Sequence, residues 1–335
     1  MTTTHPVFAT DVGFGNTKSA FRLGDQLKFQ IFRSLATLVG PNKGLASLNM
    51  EGGSQRKIVR VTIEGVDYEV GPGVNTTNSS SARTLADDFP ATPNYAALLA
   101  GAFHFANVSS VERLVLGLPI HTLSRYHALL ETKFKGKLDF GTFTVDVGTV
   151  SVLPQPLGTL LSATKKKLIN TARGAAILLI DVGYFSVDWV VMSDGQIDKD
   201  RSNGDPSGAS KVYRRIAEAL SSELRKQVTG IERIDASLRE NLPFTAHGKE
   251  FNLRRDYLPQ AISVCRGAVK VIQSSVGNTE DIREIWLSGG AANLYVPAVS
   301  EAFDGIPMNT VENPCYANVE GFLLSGESAR RRATA

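Results

Sequence analysis

A short apolar run that ends on Asp-x-Gly and is followed at once by a second strand-like run occurs twice in this chain of 335 residues. The first copy is Val7-Phe8-Ala9 followed by Asp11-Val12-Gly13-Phe14-Gly15-Asn16-Thr17-Lys18. The second is Ile177-Leu178-Leu179-Ile180 followed by Asp181-Val182-Gly183-Tyr184-Phe185-Ser186-Val187-Asp188. In each, a buried strand ends on an aspartate, a glycine permits a tight turn, and another strand begins. Backbone N–H groups of such turns can point at a polyphosphate, whereas an ionised aspartate cannot hydrogen-bond an anion and faces its metal ion instead. The duplication therefore constrains the chain to two similar halves and predicts a nucleotide between them.

Composition narrows the remaining classes. The chain is 42% hydrophobic and 21% charged, ordinary for a globular protein of two domains. A net charge of +3 is too weak to imply nucleic-acid binding by itself. Cys265 and Cys315 stand far apart without metal-type spacing, and the five histidines form no zinc motif, which fits a reducing compartment. Met1 to Pro6 is polar and runs into the first strand, and no apolar stretch reaches membrane-spanning length, so a cytoplasmic protein without membrane contact is expected.

Along the chain, Thr17 to Leu23 reads as the second strand, with Gly24-Asp25 as the next turn. From Val39 to Lys57 the composition shifts to that of a surface loop, followed by strand-like Ile58 to Ile63 and Tyr68 to Val70, so an inserted subdomain is expected over about 25–92. Pro93 to Phe105 reads as a helix, Val111 to Leu118 as a strand and Ser124 to Lys133 as a helix. Phe143 to Leu153 alternates like a strand and breaks at Pro154-Gln155-Pro156, after which Leu157 to Ile169 reads as a linking helix. A boundary near residue 170 follows. In the second half Val187 to Met192 is a strand, Ser193-Asp194-Gly195 a turn, and Lys211 to Lys226 a helix capped by Ser207 or Ser210. Leu258 to Ser274 reads as a helix, Glu284 to Leu287 as a strand running into Ser288-Gly289-Gly290-Ala291, and Cys315 to Leu324 as the last helix. At Gly289-Gly290 the lack of side chains would let the backbone lie flat against a ligand.

Taken together these residues resemble the actin, hexokinase and heat-shock chaperone superfamily of ATPases. Asp11 to Lys18 matches its first phosphate motif, Asp181 to Asp188 its second, and Ser288-Gly289-Gly290-Ala291 its adenosine motif. Val152-Leu153-Pro154-Gln155-Pro156 and Asn313-Pro314-Cys315-Tyr316-Ala317-Asn318-Val319-Glu320-Gly321-Phe322 look like its two connecting segments. Within the superfamily the likeness is to the ParM or StbA type of bacterial actin: Tyr316 to Phe322 is similar to that type's last connecting helix, and Gly204-Asp205-Pro206-Ser207-Gly208 resembles its nucleotide-proximal turn. The chain is also similar to protein D of the plasmid-encoded PRTRC system. The resemblance implies an α/β, duplicated RNase H-like actin ATPase fold around a central nucleotide cleft. It places domain I at 1–168 plus 311–335 and domain II at 169–310.

It also implies a site. ATP or GTP would meet Gly13, Gly15, Asn16, Thr17, Lys18, Gly183, Tyr184, Gly204, Gly208, Gly289, Gly290 and Ala291, and Asp11 and Asp181 would hold Mg²⁺ mostly through waters. Lys18 would neutralise phosphate charge. Gln155 bears on the reaction: a kinase needs a carboxylate to take a proton from an accepting hydroxyl, while a neutral amide can only orient a water, so glutamine favours hydrolysis. Gln155, Asp181 and Asp11 are thus the expected catalytic residues. One departure stands out, since Tyr184 and Phe185 occupy places where the family commonly has glycine and threonine, and bulk there would crowd the phosphate. Lys165-Lys166-Lys167 and Arg330-Arg331-Arg332 read as solvated surface, and Cys265 as a buried, inert residue.

The resulting expectation is a slow ATPase that polymerises into filaments for plasmid or DNA segregation, engaging centromere-like DNA through an adaptor and not directly. The alternatives are a nucleotide-dependent regulatory protein that does not polymerise and a small-molecule kinase of the same fold. Leu45, Leu48 and Met50, in the loop from Gly40 to Gly53, are the expected apolar contacts with a neighbouring subunit.

Overall fold

The computed structural model describes residues 3–40, 56–74, 86–169 and 174–334. The loop contacts expected at Leu45, Leu48 and Met50 lie outside the described residues. By internal contacts the chain divides into two compact units, one of residues 1–116, 125–152 and 326–335, the other of 117–124 and 153–325. Residues 117–124, 153–168 and 311–325, expected in domain I, thus count with the second unit. Their packing accounts for this: Leu160, Ala163 and Ala317 form a core cluster with Ile177, Leu179, Val190 and Trp286.

The first unit is built on a six-stranded sheet. Its strands are β1 (Thr3–Val12), β2 (Asn16–Leu23), β3 (Gln26–Arg33), β7 (Val108–Leu118), β8 (Gly136–Asp139) and β9 (Thr144–Pro154), in the order β3-β2-β1-β7-β9-β8. Strands β1 and β2 pair antiparallel with Asp11 opposite Lys18, while β1 and β7 run parallel. Helix α1 (Pro93–Phe105) begins at Thr92, whose hydroxyl accepts from the Tyr95 N–H, and is buried along most of its length. Phe103 of α1 lies 5.5 Å from Phe8 of β1 between ring centroids. The expected insert appears as a small sheet in the order β4-β6-β5, made of β4 (Thr37–Leu38), β5 (Val59–Ile63) and β6 (Val66–Val70). Strand β3, counted with the insert on sequence, pairs along its whole length with β2 and so belongs to the large sheet. Helix α2 (Ile120–Lys133) starts four residues earlier than expected.

Burial acts on the titration of one histidine of this unit. His5, 1% exposed and 5.1 Å from the Phe21 ring, has its pKa lowered by desolvation. In the unfolded chain it titrates near the ordinary 6.5. As pH falls through that value the unfolded state takes up a proton that the folded state does not, so stability falls, by at most about 1.4 kcal/mol per pH unit. Thermal unfolding is therefore expected at lower temperature at pH 5.5 than at pH 7.5, and His5→Phe should flatten that dependence; an unchanged slope would show that His5 is not involved.

The second unit repeats the plan. Its five-stranded sheet has the order β12-β11-β10-β15-β16, from β10 (Ala176–Val182), β11 (Val187–Ser193), β12 (Gln196–Asp205), β15 (Ile282–Ser288) and β16 (Met308–Thr310). Here β10 pairs antiparallel with β11 and parallel with β15, as β1 does with β2 and β7. The two sheets thus share one topology around the two Asp-x-Gly turns. Every residue of β10 is buried, which explains its unbroken apolar run: Leu178 and Ile180 face one core cluster, Ile177 and Leu179 another. On the first face lie α4 (Ala209–Leu224), α8 (Val264–Val276) and α9 (Ala292–Ala302), with Ile216, Ile272 and Val299 in the same cluster. On the second lies α3 (Gln155–Lys165).

Shorter elements complete the unit: α5 (Ile231–Glu240), the hairpin of β13 (Phe244–Ala246) and β14 (Lys249–Phe251), and α6 (Leu253–Asp256). The helix expected over Leu258 to Ser274 is two pieces, α7 (Leu258–Ala261) and α8, with Cys265 fully buried in α8 and its thiol pKa pushed up to about 12 by burial. The last helix, α10 (Ala317–Thr334), runs ten residues beyond the expected end and contributes residues to each unit. Its Arg330 pairs with Glu112 at 2.7 Å. Among the described residues no helix is long and apolar enough to cross a membrane.

Candidate functional site

In the first unit Asp11 stands near the C-terminal end of β1, 1% exposed, with Lys18 Nζ 3.1 Å from its Oδ2. The turn between them is tied down by β3 and its following residue. Ser34 donates its hydroxyl to the Gly13 carbonyl at 2.5 Å and its N–H to the Gly15 carbonyl at 3.0 Å, and shares a hydrogen bond with Thr17 Oγ1 at 2.9 Å. Gly13 is not in the left-handed region; its part in the turn is close packing, since a Cβ there would lie 3.1 Å from the Asn16 carbonyl oxygen. Asp11, Gly13, Gly15, Asn16, Thr17 and Lys18 are thereby brought together on one braced turn.

The second turn is braced differently. The N–H groups of Gly208, Ala209 and Ser210, at the start of α4, donate to the carbonyls of Phe185, Gly183 and Tyr184 at 2.7, 3.1 and 2.8 Å. This corrects the expected cap: Gly208 occupies the N-cap position, neither Ser207 nor Ser210 caps through its side chain, and the helix uses the turn itself as acceptor. Gly208 is needed because a Cβ would lie 2.6–2.7 Å from Phe185 and Tyr184 backbone atoms. Gly204, beside Asp188 and His121, sits on β12 and not in a loop before a helix. The Tyr184 ring is turned toward the core, 5.8 Å from the Tyr213 ring, which is where the bulk of this departure is accommodated. Asp188 accepts from Ser186 Oγ at 2.9 Å and from the Ile120 N–H at 2.8 Å.

Asp181 is 5% exposed and lies next to Ser288 across the parallel β10–β15 pair. Gly289 follows with φ +88°, and a Cβ there would meet Val182 O at 2.3 Å and Asp181 Oδ1 at 2.5 Å. Glycine is therefore required so that the chain can pass over Asp181, a reason different from close approach to a ligand. The Gly289 and Ala291 N–H groups donate within the protein, to Pro314 O at 3.2 Å and Val182 O at 3.1 Å; the nearest foreign atom to a Cβ on Gly290 would be Cys315 Sγ at 3.9 Å.

Two polar residues outside the expected site set, Asn318 and Thr159, complete this group together with Ser288. Asn318 of α10 donates from Nδ2 to Asp181 Oδ2 at 2.6 Å; Thr159 of α3 donates to Asn318 Oδ1 at 2.7 Å and lies 2.8 Å from Ser288 Oγ. A signal was present, since Asn318 is the one amide in the otherwise small and apolar run Ala317 to Val319. Gln155 is the first residue of α3, which starts two residues earlier than expected; it is half-buried, with Pro154 at the N-cap and Pro156 in the first turn.

The carboxylates suit a hard cation. No group of three or more His, Cys, Asp or Glu able to hold a metal occurs among the described residues, so these residues offer no all-protein cage. Asp11 in the first unit and Asp181 in the second are each a single buried carboxylate at a strand end, a ligand type that suits a hydrated hard cation. Both lie toward the carboxyl ends of strands in parallel pairs, where ligands of open α/β sheets are bound.

Comparison with known proteins agrees with this architecture. Residues 9–158 match the N-terminal domain of actin-like proteins. No curated protein matches the sequence. A 15-stranded ParM filament from Clostridium botulinum is 18% identical, with 97% of this chain and 100% of that chain covered and a TM-score of 0.76. Ta0583, an archaeal actin homolog in complex with ADP, is 17% identical over 97% of this chain and 99% of its own, with a TM-score of 0.72. An AlfA filament bound to AMPPNP is 16% identical, covered in full on both sides, with a TM-score of 0.62. Duplicated sheets, paired Asp-x-Gly turns and these likenesses lead to one statement: the chain has the actin-like fold of the ParM type.

Proposed function

We propose that this protein binds and slowly hydrolyses ATP or GTP and polymerises into filaments that serve plasmid or DNA segregation, with DNA engaged through an adaptor. The observation that carries the reading is the duplicated turn: each unit presents a buried aspartate at a strand end, and in the second unit Asp181, Ser288-Gly289 and the two connecting helices converge on one polar group. In support, similar folds were seen as an ADP complex, an AMPPNP-bound filament and a ParM filament. Asp181 and Asp11 would hold Mg²⁺ mostly through waters, and the ion would offset phosphate charge. Gly13, Gly15, Asn16, Thr17, Lys18, Gly183, Tyr184, Gly204, Gly208, Gly289, Gly290 and Ala291 would form the surroundings of the nucleotide.

Gln155 would orient the attacking water, because its amide offers a donor and an acceptor and no base. Gln155→Ala should leave nucleotide affinity intact and slow phosphate release by about 100-fold, as expected when a reactant loses its alignment. Calorimetry and a phosphate-release assay separate the two, and an unaltered hydrolysis rate would remove Gln155 from the mechanism. The reading as a whole is tested by nucleotide binding and by sedimentation with and without Mg-ATP.

A further inference from the structure

The hydrogen bonds around Asn318 have a fixed direction. Thr159 has one hydroxyl proton and gives it to Asn318 Oδ1, so at its contact with Ser288 it must accept, and Ser288 donates. With its Oδ1 held by Thr159, the Asn318 amide can present only Nδ2 to Asp181. The chain therefore runs Ser288 to Thr159 to Asn318 to Asp181, and all four side chains are buried: Ser288 and Thr159 are 0% exposed, Asn318 and Asp181 5%. It links both connecting helices, α3 and α10, to the ends of the two parallel strands β15 and β10 within one unit. Leaving such a donor or acceptor unmade in a buried setting is costly, so the four side chains hold one another in a single arrangement.

We propose that Asn318 is the positioning residue for Asp181: its amide, locked in one orientation by Thr159 and Ser288, fixes the carboxylate in the rotamer from which it serves the magnesium of the bound nucleotide. This rests on the function proposed above. Groups that orient a metal-serving carboxylate change metal affinity by about 10- to 100-fold when removed.

The test compares ATP affinity in Mg²⁺ with ATP affinity in excess chelator, together with the melting temperature of the nucleotide-free protein. Asn318→Ala should weaken Mg-ATP binding by about 10-fold or more while leaving metal-free ATP binding nearly unchanged. Thr159→Val, which removes the lock but keeps the volume, should lose part of the same magnesium-dependent gain. A residue with only a structural role would lower the melting temperature and weaken both affinities alike. The double exchange Asp181→Asn with Asn318→Asp keeps an amide facing a carboxylate but moves the charge from β10 to the helix. It should melt well above the single variant Asn318→Asp, which sets two carboxylates against each other, yet show no magnesium-dependent gain. Full retention of that gain in Asn318→Ala would overturn the proposal, as would failure of the double exchange to recover stability. If the wild-type chain takes up no nucleotide, the proposed function and the magnesium role assigned to Asn318 fall together, whereas the melting temperatures judge the Asn318–Asp181 pairing separately.

Discussion

Gly321→Val is expected to be the most destabilising single substitution in the second unit. Gly321 of α10 lies against α3 so closely that a Cβ would stand 1.8 Å from Gly158 O and 2.5 Å from Gly158 C. Gly158 in turn has room for no Cβ, which would meet Asn318 O at 2.3 Å. All these obstacles except the Phe322 ring are backbone, so no side chain can swing aside to relieve the overlap. Overpacking of this kind costs about 3 kcal/mol or more, and at the usual sensitivity of a unit this size that lowers the melting temperature by roughly 10 °C. Gly267→Ala provides the contrast, because Gly267 is exposed near the start of α8 and a Cβ would meet nothing within 4 Å. It should stabilise by about 0.5–1 kcal/mol through helix propensity alone. Thermal unfolding followed by circular dichroism checks both, and a Gly321→Val protein melting with the wild type would show that the two helices are not in contact.

Asp181→Ala carries the largest expected effect on function. On the proposed function the substitution would remove the anionic partner of a hydrated cation, and it leaves the Asn318 amide without its carboxylate acceptor. Mg-ATP affinity should fall by about 100-fold, at the upper end of the range for disturbed metal ligation, with metal-free nucleotide less affected. Asp11→Ala should act in the same direction and additionally free Lys18 from its 3.1 Å ion pair. Calorimetric titration reads both, and unchanged Mg-ATP affinity in either variant would take that turn out of the site.

Much of this fold is legible in the sequence because the informative signals are local. The runs ending at Asp11 and Asp181 show as strand, turn and strand; the apolar Pro93–Phe105 helix is bounded by a threonine cap and proline at one end and aromatic residues at the other. What was missed has physical reasons. Strands β3 and β12, QLKFQIFR and QIDKDRSNGD, lie at sheet edges and mix polar with apolar residues, so neither reads as buried. The cap of α4 was misassigned because its acceptors are carbonyls of Gly183, Tyr184 and Phe185, more than twenty positions away, and backbone acceptors leave no trace in residue type. The pairings of Asn318 and Thr159 are hidden by distance along the chain: Asn318 meets Asp181 across 137 positions and Thr159 meets Asn318 across 159, and only folding joins them. For Gly289 the residue type suggests room for a ligand, and the structure adds a requirement invisible in the sequence, room for Asp181 itself.

Whether nucleotide drives assembly is read out by sedimentation and electron microscopy of the purified protein with Mg-ATP, with Mg-ADP and without nucleotide. Filaments that pellet are expected in Mg-ATP, none without nucleotide, and none in Asp181→Ala. A protein that binds Mg-ATP yet remains in the supernatant, with no filaments at any concentration tested, would contradict this expectation.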